Sequence, residues 1–149
     1  MNADEKARFY AQRMHTPDDP PRAAKRAALR ETSRLLIPLH RALIDVAKLD
    51  YALEHEPIER PAQFLQLLQQ HPFFAWLKPM TSLIVDIDEL ARKDFGDDDA
   101  AAIADRVERL FGGDGDGDFS RRYLDILQRD IDVAAAHGSV RQAAAKIRG

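Results

Sequence analysis

The sequence predicts an all-α protein, a compact bundle of five to seven helices with proline-kinked or split members. Two observations carry that prediction. Apolar residues recur at three- and four-residue spacing through most of the chain, and no alternating stretch rich in β-branched and aromatic residues reaches five residues. The 149 residues also leave room for one core only, so 1–149 is read as a single helical domain, with 1–21 as an N-terminal helix and connector.

Residues 1–14 form an amphipathic pattern presenting Phe9, Tyr10 and Met14, and His15 to Pro21 breaks it. From Arg22 to His55 an apolar stripe runs through Leu29, Leu36, Leu39, Leu43, Val46, Ala47 and Leu53. Pro38 interrupts it, predicting a kink or a split into about 22–36 and 38–55. Pro61 suits the first position of a helix to Gln70, with Phe64, Leu65, Leu67 and Leu68 as its apolar face. His71-Pro72 restarts the chain through Phe73, Phe74, Trp76 and Leu77. Met80 to Lys93 then carries Met80, Leu83, Ile84, Ile87, Leu90 and Ala91 on a wide apolar face, which marks it as the centre of the bundle. Asp97, Asp98 and Asp99 favour a helix N-terminus, and Gly112-Gly113 ends that helix, with Ile103, Val107 and Leu110 inward. Asp118 is placed as the cap of a helix to about Ala136, and Ser139 as the cap of a last short one to Ile147.

Charge is nearly balanced, with a formal net of −3, but it is segregated. Arg22 to Arg41 holds Arg22, Lys25, Arg26, Arg30, Arg34 and Arg41 against Glu31 alone, whereas Asp86 to Asp118 is strongly acidic. The default expectation is that the two regions satisfy each other. The negative net charge argues against a nucleic-acid partner for the arginine stripe. No apolar run reaches the ~20 residues of a membrane span. The first residues lack a secretory pattern and cysteine is absent, which points to a cytoplasmic protein without disulfides or thiolate chemistry.

Motifs for catalysis are missing. The five histidines are never three or four apart, no Glu-x-x-His pair occurs, and none of the serines sits in a nucleophile elbow. No cofactor or metal is therefore expected. The Asp114 to Asp118 loop resembles a calcium loop poorly, because Phe119 stands where such a loop needs glycine, and a solvated helix connector is the preferred reading.

Two functional expectations follow. The preferred one is a non-catalytic cytosolic module that binds a protein partner or itself, through Arg22, Arg26, Arg30 and Arg34 or through Phe73 and Trp76. The alternative is a small-ligand or metal-binding bundle, possibly enzymatic, in which His40, Tyr51, Glu54, Asp86 and Asp88 meet in a pocket. For Phe73 and Trp76 a core role is favoured over a surface one.

The block His71-Pro72-Phe73-Phe74-Ala75-Trp76-Leu77-Lys78-Pro79, followed by Leu83-Ile84-Val85-Asp86-Ile87-Asp88, resembles a group of uncharacterised bacterial all-helical proteins. Leu39-His40-Arg41-Ala42-Leu43, Tyr51, Glu54 and Arg122-Tyr123-Leu124 are similar too, so the likeness spans roughly residues 30 to 145. The resemblance implies a bacterial helical fold and assigns no functional residue.

Overall fold

The computed structural model describes residues 2–6, 17–113 and 117–149. Apart from a helical turn at 3–6, these residues form six α-helices and one 3₁₀ helix, with no strand among them. They are α1 (Pro20–Glu54), α2 (Pro61–Gln70), the 3₁₀ helix (Pro72–Leu77), α3 (Lys78–Ala91), α4 (Asp97–Phe111), α5 (Asp118–Arg129) and α6 (Ile131–Arg148). The all-α bundle read from the periodicity is thus the fold. Phe9, Tyr10 and Met14 lie outside the described residues, as do Asp114 and Asp116 of the acidic loop. No helix among the described residues is long and apolar enough to cross a membrane.

Helix α1 starts where Asp19 caps it, its carboxylate accepting from the Arg22 N–H at 2.9 Å with proline at the first helical position. It continues unsplit through Pro38, so the two-helix alternative does not hold. Pro38 lies on the exposed side, as does Arg34, whose carbonyl loses the usual bond from a residue four later. One solvent-facing carbonyl is a small loss beside the buried stripe of Leu29, Leu36, Leu39 and Leu43, each contributing roughly 1.5–3 kcal/mol.

That stripe makes α1, not α3, the hub of the bundle. Its most extensive neighbour is the C-terminal helix α6, then α3, while α4 closes against α6. Met80, Leu83 and Ile87 of α3 are fully buried in the same continuous core. Two residues expected on inward faces point out instead: Leu53 is 85% exposed and Leu65 57%.

The last two helices divide at Asp130, not at Gly138-Ser139. The Asp130 carboxylate accepts from the N–H groups of Asp132 at 3.0 Å and Val133 at 3.1 Å, which starts α6 there. From that start, Val133, Val140, Ala144 and Ile147 share one buried face, and a break at Gly138 would rotate half of them out of it. Asp118 is likewise not a cap: Gly117 holds that position, and Asp118 sits in the first turn near Arg122, 3.5 Å away.

Among the described residues the basic stretch from Arg22 to Arg41 meets the acidic stretch from Asp86 to Asp118 in one ion pair, Lys25 with Asp97 at 2.9 Å, so the two do not largely satisfy each other. The other pairs of the acidic stretch run within it, as Arg106 with Asp86 at 2.6 Å, or to the last two helices, where Arg141 pairs with Glu108 at 2.8 Å and Arg148 meets Asp105.

Candidate functional site

The 3₁₀ helix is the element that shapes the site. Pro72 and Pro79 bracket it, and the His71 ring accepts through Nδ1 from the Phe73 N–H at 3.1 Å, turning the chain sharply out of α2 and into α3. This turn drives Phe74 into the core, where it stacks on Tyr51 of α1 with ring centroids 5.4 Å apart. It meets Phe64 of α2 edge-on at 5.9 Å and Phe73 at 5.3 Å. Tyr51 also stacks on His55 at 4.4 Å. The rings fasten the end of α1, α2 and the 3₁₀ helix to one another.

Beside this clasp lies an open cavity of about 380 Å³ between α1, α2, the 3₁₀ helix and α3. Its walls are Ile44, Leu68, Phe74 and Leu77, and its polar groups are His40, Gln69, Lys78, Thr81 and Ser82. Apolar walls with a few convergent polar groups, in a volume near the lower end of the 300–1,000 Å³ range of small-molecule sites, are the usual make-up of a ligand pocket.

His40 is half-buried, with Nε2 3.1 Å from Thr81 Oγ1. Thr81 Oγ1 in turn donates to the Leu77 carbonyl at 3.3 Å, which makes His40 Nε2–H the donor to threonine. With its proton committed to Leu77, Thr81 is not activated as a nucleophile; the pair orients the ring at the cavity edge.

Burial pushes the His40 imidazole below its ordinary value of 6.5. His137 is lowered too, first by burial and then by Arg141, in a 2.8 Å contact between its Nδ1 and the Tyr123 hydroxyl. Between the folded and unfolded values the unfolded chain binds more protons, so stability is complete above 6.5 and falls as pH drops through the lower folded values. We expect the thermal midpoint to fall from about pH 7.5 to about pH 5.5, with a shallower fall in His40→Gln. A variant profile parallel to the native one would remove His40 from this account. The carboxylates Asp18, Glu31 and Asp97, each held low by a hydrogen bond to Arg26, Arg34 and Lys25 respectively, add a separate loss below their ordinary values.

The structure separates the other residues proposed to meet with His40. Tyr51 belongs to the ring clasp, Glu54 is exposed, Asp86 holds Arg106, and Asp88 accepts from the buried Ser33 hydroxyl at 2.5 Å. No group of three or more metal-ligating side chains occurs among the described residues. The arginine stripe is also broken up. Arg34 forks onto Glu31 through two hydrogen bonds, whereas Arg26 turns inward to Asp18 and to the end of α3, leaving Arg22 half-buried and Arg30 exposed. Trp76 is buried, with Phe119 at 5.9 Å between ring centroids, so it is a core residue and not a surface anchor; Phe73 is half-buried.

Ile44, Lys78, Thr81 and Ser82 were not singled out by the sequence. The spacing of Lys78, Thr81 and Ser82 places them on one helix face, but only the packing of α1 and α2 against that face makes a cavity of it. No family model, no curated protein and no solved structure matches the chain.

Proposed function

We propose that this protein is a non-catalytic helical module of the bacterial cytosol that binds a small, largely apolar ligand in the cavity between α1, α2, the 3₁₀ helix and α3. The observation that carries the reading is the combination of four apolar walls with a rim of hydroxyl, amide, imidazole and ammonium groups in about 380 Å³. The likeness of the His71 to Pro79 block to uncharacterised bacterial helical proteins belongs to the same proposal, because Phe74, Leu77 and Lys78 of that block line the cavity.

The test is titration with Nile red, an uncharged dye whose emission rises in apolar surroundings. The native chain is expected to give saturable uptake, and Ile44→Trp, which projects a larger ring into the cavity, should weaken it at least ten-fold, about 1.4 kcal/mol, with the fold retained. Equal uptake by both proteins, or none by either, contradicts the reading.

A second reading is favoured by a different surface. Leu53, Ile131 and Leu49 are 85%, 84% and 70% exposed, and they flank an ion pair of Asp50 with Arg129 that also engages Asp125. Apolar side chains beside charges of both signs suit a self-complementary face, and the partner proposed is a second copy of the chain. Sedimentation velocity should then show a dimer that Leu53→Glu dissociates; a native monomer at high concentration removes this reading.

A further inference from the structure

We infer that the ligand of the cavity is an amphipathic anion: an apolar body carrying a single carboxylate head. This rests on the reading of the cavity as a ligand site and adds to it the chemical class of the occupant. Charge complementarity is the ground. Lys78 is the only lysine, arginine, aspartate or glutamate in the lining. It is exposed, and it has no ion-pair partner among the described residues. Arg41 and Arg92 also make no ion pair among the described residues, so what distinguishes Lys78 is its place as the single charge in the lining of the cavity.

The donors around Lys78 fit the same head. Ser82 lies four residues on, on the same face of α3, and its hydroxyl can donate toward the mouth of the cavity. Thr81 is spoken for by Leu77 and His40, so the head is assigned to Lys78 and Ser82. Ile44, Leu68, Phe74 and Leu77 present hydrocarbon without a hydrogen-bonding atom in their side chains, so the body of the ligand must be apolar to leave no polar group unpaired.

The experiment is isothermal titration of the full chain with decanoate, decan-1-ol and decylamine below their aggregation thresholds, repeated with Lys78→Glu. The three probes share one hydrocarbon chain, so the order of their affinities reports the head alone. Decanoate is expected to bind about five-fold more tightly than decylamine, the scale of one partly exposed ion pair, with decan-1-ol between them. Lys78→Glu should reverse the order. The substitution places an acid in the first turn of α3, which helix electrostatics favour, so the variant is expected to fold.

Decylamine binding as tightly as decanoate, or an order unchanged in Lys78→Glu, overturns the inference. If Nile red enters the cavity and Ile44→Trp excludes it while none of the three probes binds, the ligand class is wrong and the site stands. If Nile red fails as well, both fall.

Discussion

Phe74→Ala is expected to lower the unfolding free energy by about 3–5 kcal/mol, the range for deleting a buried phenylalanine side chain. For a chain of this length that amounts to a fall of roughly 6–20 °C in the thermal midpoint. Phe74 is 1% exposed and touches the rings of Tyr51, Phe64 and Phe73, so its loss empties the point at which three elements are fastened together. The surroundings have little means of closing the gap, because Pro72 and Pro79 restrict the backbone on either side. Phe74→Leu should recover more than half of the loss by restoring volume without the ring contacts. Chemical denaturation followed by circular dichroism measures both. An alanine variant within about 1 kcal/mol of native would mean that the clasp does not hold the end of the bundle.

Arg26→Met is expected to destabilise by about 2–4 kcal/mol, because the guanidinium is a tether between three parts of the chain. Its Nε and Nη2 bind both oxygens of Asp18 at 2.7 and 2.9 Å, and Nη1 donates to the carbonyls of Ala91 at 2.7 Å and Lys93 at 2.9 Å. Those carbonyls close the end of α3, where no helical N–H remains to serve them. The ring of Phe95, 4.9 Å below the guanidinium carbon, completes the seat. Methionine keeps the aliphatic stem and removes every one of these bonds. The matched control is Arg34→Met: Arg34 and Glu31 are exposed neighbours on one helix, and little change is expected on removing that pair. Equal thermal midpoints for the two variants would show that Arg26 is no more than a surface charge.

This contrast explains how far the sequence could be read. Arg22, Arg26, Arg30 and Arg34 are equivalent by spacing, and nothing in a four-residue repeat distinguishes the one that reaches the end of α3 from the one that folds back on Glu31. Periodicity identified Leu36, Leu39, Leu83 and Ile87 because burial along a helix repeats every 3.6 residues and the signal is local. It failed at Leu53, near the end of α1, where the stripe outruns the elements available to cover it. It also failed between α5 and α6, where Gly138-Ser139 has the composition of a break and Asp130 the composition of a cap. The seven-residue separation of Val133 and Val140 on one buried face decides between them, and that face is defined only once α1 is packed against it. The sequence marks His40 as a candidate but offers Tyr51, Glu54, Asp86 and Asp88 as its companions. The residues that surround it are Ile44, Leu68 and Thr81, drawn from three helices with no shared motif.

The most direct measurement is a backbone amide NMR map of the full chain with and without saturating decanoate. The account predicts that the largest shifts cluster at residues 40, 44, 68, 69, 77, 78, 81 and 82, around a cavity whose walls come from four elements. Shifts concentrated instead at Leu49, Leu53 and Ile131, or scattered evenly over the surface, would contradict it.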